Sequence, residues 1–149
     1  MLDVADVRAG AVELPATGTI VVFDPIGGPI GVALAEDLAD RAVLVTQDNI
    51  AGNELARTGD LAPANTRLAQ RGVRIERRSL LRSVGAAGVV LEDRYSGLQR
   101  TIDCVALVDC GFRLPTDPLP GVTIQVGDAV APRTVYEAIL EARRTALAI

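Results

Sequence analysis

Two glycine-containing turns carry residue types that could bind a nucleotide. The first lies in VVFDPIGGPIG, residues 21–31, where a β-branched run leads into glycines and then into a helical pattern. In a GxGxxG dinucleotide fingerprint, the second glycine lets the backbone approach a pyrophosphate and the third lets the helix pack on the strand. Helix N-terminal amides then bind the phosphates. Gly28 and Gly31 suit the second and third positions, with Gly27 beside them.

The same turn departs from the fingerprint at two points. Ile26 occupies the position of the first glycine, and Asp24 adds a negative charge that would repel a phosphate by about 1 kcal/mol or more. The acid that usually ends the second strand and bonds the ribose is replaced by Thr46 or Gln47, with Asp48 just beyond. NAD(P)H binding is therefore disfavoured, and a strand–turn–helix kept for packing is the main alternative.

The second turn is VGDAVAPR, residues 126–133. Asp128, which follows Gly127, could accept hydrogen bonds from sugar-like hydroxyls, and the amides of Ala131–Arg133 could receive a phosphate at a helix start. Pro132 suits a first helical turn because its missing N–H costs nothing there. The alternative, in which Asp128 is only a turn or capping residue, is favoured by spacing alone.

The composition excludes several kinds of chemistry. The chain has no histidine, so the commonest general base and metal ligand are missing. Two cysteines, Cys104 and Cys110, are too few for an iron–sulfur cluster or a structural zinc. On one straight strand they would lie about 20 Å apart, too far for a disulfide. No catalytic residue and no metal site are predicted.

Charge and hydropathy indicate a protein that binds neither nucleic acid nor membrane. The net charge is −4, and the densest basic stretch, Arg71–Arg82, reads as ordinary charged surface. No window approaches about 18 continuous apolar residues. The N-terminal MLDVADVRAG has no long apolar core, so no signal peptide is predicted and we expect a cytoplasmic location.

The pattern of elements predicts an α/β fold: a Rossmann-like three-layer domain with a mainly parallel sheet. Short apolar runs separated by helical patterns indicate βαβ units. An antiparallel β-hairpin excursion is expected at about 87–104, turning through Tyr95–Gly97. Residues 1–17 are expected to be irregular. A last strand at 122–128 and a C-terminal helix complete the prediction.

Four stretches, in this order, resemble one region of a known group of flavoenzymes. They are GTIVVFDPIGGPIGVALAEDLADRAVLVT, TRLAQRGVRI, TIDCVALVDCGFRLPTD and TIQVGDAVAPRTVYEAILEARRTALAI. The region is the C-terminal half of the multidomain Old Yellow Enzyme-like oxidoreductases, which include 2,4-dienoyl-CoA reductase and the trimethylamine, dimethylamine and histamine dehydrogenases. The resemblance covers about residues 15–149, and its specific part is GDAVAPRTVYEAI.

The resemblance implies a division of roles between domains. In that family an N-terminal barrel holds FMN and a 4Fe–4S cluster, and a glycine-rich FAD- or ADP-binding half follows. An NAD(P)H-type domain is inserted before the chain returns to the FAD domain. By resemblance, Gly127 and Asp128 would contact the ribityl or ribose part of FAD or ADP, and Pro132 and Arg133 would lie at the adjacent helix start.

The resemblance also implies that this chain is a fragment. The inserted NAD(P)-binding-like domain would span 18–121, with Gly27, Gly28 and Gly31 in its turn, and 122–149 would be the tail of the FAD/ADP-binding domain. The FMN/4Fe–4S barrel would then be a partner domain or subunit. The amine dehydrogenase branch is thought to have lost pyridine-nucleotide use at this turn and often carries an acid there, as Asp24 does here.

Three hypotheses follow. In the first, the chain is a nucleotide-binding-type domain of a flavin oxidoreductase, not catalytic alone, which contributes Gly127, Asp128 and Arg133 to an FAD or ADP site. In the second, it is a non-catalytic structural or docking module that positions a redox partner. In the third, which the missing histidine and the damaged fingerprint disfavour, it is an autonomous NAD(P)H-dependent oxidoreductase. A homo-oligomer is compatible with all three.

Overall fold

The computed structural model describes residues 1–112, 114–115, 120–132 and 134–148. The chain divides into two compact units, Met1–Gly111 and Phe112–Ile149. In chain order the elements are β1 (Leu2–Asp3), α1 (Val4–Arg8), β2 (Ile20–Phe23), α2 (Pro29–Leu38), β3 (Ala42–Val45), α3 (Leu61–Gln70), β4 (Arg74–Glu76), β5 (Ser79–Val84), β6 (Gly88–Asp93), β7 (Gln99–Asp103), β8 (Ala106–Asp109) and α4 (Val135–Ala146).

The first unit is built on a five-stranded parallel sheet in the order β1-β8-β2-β3-β4. Val21 of β2 is in register with Val43 of β3 and Leu107 of β8. The central strands β2 and β3 are apolar along their length because both faces of the sheet are covered. The predicted parallel sheet is confirmed.

The two faces of this sheet belong to separate cores. Ile20, Val22 and Leu44 pack with residues of α2 and α3 such as Leu34 and Leu68. The alternate residues on the other face pack against the antiparallel strands β5, β6 and β7, in a cluster that includes Val21, Val43, Val45, Val89, Leu91, Ile102 and Leu107. Helices, parallel sheet and antiparallel sheet thus form the three predicted layers.

The antiparallel excursion is larger than the predicted hairpin. The pairing of β6 with β7 is confirmed, but β5 adds a third strand, so the excursion begins at Ser79 rather than at about 87. The register of β5 on β6 shifts between Leu81 and Ser83. This irregularity breaks the period-2 pattern by which a strand is recognised in sequence.

Residues 1–17 are not wholly irregular, contrary to the prediction. Leu2 pairs with Val108 in the parallel sheet, and α1 follows directly. The carboxylate of Asp3 caps α1 by accepting a 2.6 Å hydrogen bond from the amide of Ala5. A two-residue strand whose partner lies more than a hundred positions away leaves no local pattern in the sequence.

In the second unit, the prediction of a strand at 122–128 is wrong. Among its described residues, the backbone at Val126 is extended but belongs to no sheet, and a short 3-10 turn follows at Gly127–Ala129. An extended segment counts as a strand only when it pairs with another, and this one has no partner strand in the described part of the chain. The predicted C-terminal helix is confirmed as α4.

Candidate functional site

The turn between β2 and α2 is closed by its own aspartate. Oδ1 of Asp24 accepts hydrogen bonds from the amides of Gly27, at 2.9 Å, and Ile26, at 3.2 Å. These are amides of the kind that bind a phosphate in a dinucleotide turn. The aspartate was expected to repel a phosphate from beside the turn, whereas the structure places its carboxylate inside the turn.

Asp24 is almost fully buried, with 1% of its surface exposed. Burial raises the pKa of its carboxyl to about 6, although the amides of Gly27, Gly28 and Ile26 oppose this shift; nearby Asp48 raises the pKa further. Oδ2 is buried without a hydrogen-bond partner among the described residues. The turn therefore contains a buried carboxyl group of the protein itself, and its surroundings favour the protonated form of this group more than water does.

The three glycines of the turn differ in what the fold requires of them. A Cβ on Gly31 would lie 2.7 Å from the Cβ and Cγ of Asp24, so the predicted close packing of this helix residue is confirmed. Gly27 has φ +73°, which favours glycine. Gly28 precedes α2 in extended backbone, and a Cβ there would meet only Ile26, at 3.7 Å.

The end of β3 braces this turn and adds negative charge. Nε2 of Gln47, at the position usually held by the ribose-binding acid, donates a 2.6 Å hydrogen bond to the carbonyl of Pro25. Oδ2 of Asp48 would lie 3.0 Å from a Cβ on Gly27. Asp109 ends β8, which lies on the other side of β2. The edge of the sheet where a Rossmann-type fold usually binds its ligand is thus acidic.

The second predicted turn is held together by its own unit. The amide of Gly127 donates a 2.8 Å hydrogen bond to Oε2 of Glu141 in α4. Gly127 has φ +65°, and a Cβ there would lie 3.1 Å from that of Ala138, so its glycine is needed for packing on the helix. Asp128 is exposed beside it. Spacing gave no sign of the Glu141 contact, which joins residues fourteen positions apart.

The helix start near this turn differs from the prediction. The first residue of α4 is Val135, and Thr134 and Glu137 form a capping box in which each side chain bonds the other's backbone. Pro132 therefore precedes the helix instead of occupying its first turn. Arg133 lies outside the described residues. The carbonyl of Gly127 already accepts from the amide of Ala131, at 3.0 Å, which leaves that amide less available to an anion.

The described residues contain neither a metal site nor a membrane-spanning helix. No group of three or more Cys, Asp or Glu side chains is arranged to hold a metal ion. Cys104 and Cys110 form no disulfide, and burial raises the pKa of the Cys104 thiol. In the same described ranges, no helix has both the length and the apolar character needed to cross a membrane.

The architecture defines a Rossmann-like three-layer α/β domain followed by a helical tail. No protein-family model and no curated protein matches the sequence. Solved structures do match. A 6-hydroxypseudooxynicotine amine oxidase from Pseudomonas geniculata N1 superposes with a TM-score of 0.85 at 18% identity, covering 96% of this chain and 23% of that chain.

Two further structures carry the same fold. Histamine dehydrogenase from Rhizobium sp. 4-9 matches with a TM-score of 0.85 at 24% identity, over 97% of this chain and 25% of that one. A 2-naphthoyl-CoA reductase matches with a TM-score of 0.77 at 21% identity, over 99% of this chain and 23% of that one. The chain thus spans about a quarter of the length of these proteins. The predicted resemblance to the Old Yellow Enzyme-like oxidoreductases is confirmed at the level of the fold.

Proposed function

We propose that the chain is a nucleotide-binding-type domain of a flavin oxidoreductase, not catalytic by itself. In this proposal Gly127 and Asp128 form part of an FAD or ADP site that other sequence completes. The observation that carries the proposal is the extended backbone at Val126, directly before that turn, which pairs with no strand of the described residues. A strand of a neighbouring FAD/ADP-binding domain would supply the pairing.

The exposure of the second unit supports the same proposal. None of the residues of α4 is buried, and Val135, Tyr136 and Ile139 expose 64–75% of their surface. By contrast, the first unit has cores on both faces of its sheet. Large exposed apolar side chains on a helix mark a surface that another part of a protein covers. We expect this pattern if the second unit is one part of a domain and other sequence supplies the rest. Asp128, exposed at the turn, has the chemistry to accept hydrogen bonds from ribose or ribityl hydroxyls.

The proposed partner is a flavin barrel with FMN and a 4Fe–4S cluster, in the same or a separate polypeptide. The buried Asp24 argues against the alternative in which the first unit binds NAD(P)H at the β2–α2 turn, because the turn amides already have an anion. The first unit would then have a Rossmann-like fold with a structural role and would bind no NAD(P)H at this turn.

The test compares the chain alone with its complex with the barrel. We expect the chain alone to bind FAD, ADP, NADH and NADPH no better than at millimolar concentration, and the purified complex to retain FAD or ADP. Asp128→Ala should lower the nucleotide content, whereas Asp103→Ala, an exposed acid on β7, should not. A stable complex without FAD or ADP would identify a docking module instead. Tight NADH binding by the chain alone would also contradict the proposal.

A further inference from the structure

A cleft of about 500 Å³ lies in the first unit, between the end of β4 and the turn that joins β6 to β7. This volume is within the range of small-molecule sites. Its lining comes from β4, β6 and β7, from the residues that join β4 to β5 and β6 to β7, and from the loop after β3; the charged lining residues are Glu76, Arg77, Arg78, Asp93 and Arg100. Neither of the two turns described above contributes to this lining.

The two carboxylates of the cleft are already neutralised. Glu76 is bound by Arg100 and Arg74, each with a closest contact of 2.6 Å. Burial acts to raise the pKa of Glu76, but hydrogen bonds from Arg100 and Arg74 outweigh it and hold the pKa below its ordinary value. Asp93 accepts from the amides of Ser96 and Tyr95 and forms a 3.4 Å ion pair with Arg78, and these contacts lower its pKa.

Arg77 differs from the other charged residues of the cleft because its side chain has no partner of opposite charge in the described part of the chain. It is exposed, lines the cleft and takes part in no side-chain hydrogen bond or ion pair among the described residues. Because Glu76 and Asp93 are engaged by other groups, the positive charge of Arg77 is not cancelled inside the cleft. The cleft is therefore basic, although the whole chain carries a net charge of −4.

Arg78 is fixed in an unfavourable backbone conformation beside it. Its φ is +52°, a region that residues with a side chain rarely adopt. Its amide donates to the carbonyl of Asp48 at 3.0 Å, its carbonyl accepts from Arg94 at 2.7 Å, and its guanidinium lies 5.6 Å from the centre of the Tyr95 ring. Such strained residues persist where the surroundings hold them, and they concentrate at ligand sites.

We propose that this cleft binds a phosphate monoester with an apolar or aromatic body. Arg77 would bind the phosphate, because a guanidinium presents paired N–H donors that match phosphate oxygens. Leu98, which is 72% exposed, and Ile75 would pack against the body of the ester. This site is separate from the one proposed at Asp128, so either can fail without the other.

Phenyl phosphate and inorganic phosphate are the probes, added to the full chain and followed by calorimetry and amide NMR shifts. We expect phenyl phosphate to bind more tightly and to shift the amides around Arg77 and Ser96. Arg77→Ala should weaken binding about tenfold or more, since charge-assisted hydrogen bonds are lost. Arg82→Ala should leave it unchanged, because Arg82 lies on β5 outside the cleft and is paired with Glu92.

A second variant separates the two parts of the proposed ligand. Leu98→Ala should weaken phenyl phosphate and leave inorganic phosphate unchanged; because Leu98 is exposed, folding should be preserved. Absence of saturable binding at millimolar concentration would overturn the proposal. So would equal losses in Arg77→Ala and Arg82→Ala, equal affinities for the two probes, or shifts confined to the β2–α2 turn.

Discussion

The amide of Gly27 donates a 2.9 Å hydrogen bond to Oδ1 of Asp24, three residues earlier in the chain. The bond places a protein carboxylate where a nucleotide-binding turn would receive a phosphate oxygen. Any ligand phosphate would have to displace this carboxylate, and the displaced group would remain nearby as a like charge. The chemistry of the turn is thus governed by one side chain.

Removing Asp24 should open the turn. We expect Asp24→Gly to bind NADH or ADP measurably better than the parent chain, because the amides of Ile26 and Gly27 become available. Asp109→Gly is the matched control, since Asp109 lies at the same edge of the sheet and, among the described residues, its side chain accepts a hydrogen bond only from the amide of Gly111, at 2.8 Å. Equal affinities in parent and Asp24→Gly, measured by calorimetry on folded protein, would show that the carboxylate is not the obstacle.

Asp24 should also give the chain a characteristic pH dependence. Its pKa is raised from 3.8 to about 6, so the folded state holds the proton more tightly than the unfolded chain does. Its stabilising contribution is complete below pH 3.8 and is lost as the pH rises through about 6. The loss should amount to about 3 kcal/mol in the free energy of unfolding.

Urea unfolding of the parent and of Asp24→Asn across this pH range measures that loss. The variant should lack the decline that Asp24 causes, so the difference between the two proteins should change by about 3 kcal/mol. Asp103→Asn, at an exposed position on β7, should follow the parent profile. Parallel profiles for the parent and Asp24→Asn would falsify the assignment of a raised pKa to this buried group.

Two glycines of the turn should respond differently to alanine. Gly31→Ala should lower the free energy of unfolding by about 1–3 kcal/mol, because its Cβ would lie 2.7 Å from Asp24. Gly28→Ala should be neutral or slightly stabilising, since its backbone is extended and its Cβ would contact only Ile26, at 3.7 Å. If both variants lose the same stability in thermal or urea unfolding, the close packing at Gly31 is not the cause.

The junction of the two sheets should depend on one arginine. Arg100 donates to Glu76 at 2.6 Å and to the buried hydroxyl of Ser79 at 2.5 Å. Arg100→Ala should cost about 1–3 kcal/mol because it leaves Oε2 of Glu76 and the hydroxyl of Ser79 without this donor, although Arg74 still binds Oε1 of Glu76. Arg82→Ala, which removes an exposed ion pair with Glu92, should cost less than about 1 kcal/mol. Comparable losses for the two arginines in urea unfolding would contradict this role.

Local sequence patterns were enough to predict most of the first unit. The β-branched runs at 19–24 and 42–47 predicted β2 and β3, and Gly72, with φ +70°, follows the end of α3 as expected. Pro29 begins α2. In each case the signal lies within a few neighbouring residues: an apolar run, a missing N–H or a left-handed glycine.

The errors arise where distant residues decide the structure. The strand β1 exists only through its pairing with β8, and β5 is recognisable only from its partner β6 across an irregular register. Sequence correctly selected Asp24 as the unusual residue of the turn, but composition could not show which way its side chain points. The domain boundary near 121 and the ligand contacts at Asp128 stay predictions.

The exposure of α4 has a consequence for hydrogen exchange. A helix that buries none of its residues opens at a small cost, so its amides should exchange with solvent far sooner than those of β2 and β3. Occupation of its apolar face by a partner would slow that exchange selectively. The protection of α4 amides is therefore a direct readout of assembly, obtainable before any cofactor or substrate is known.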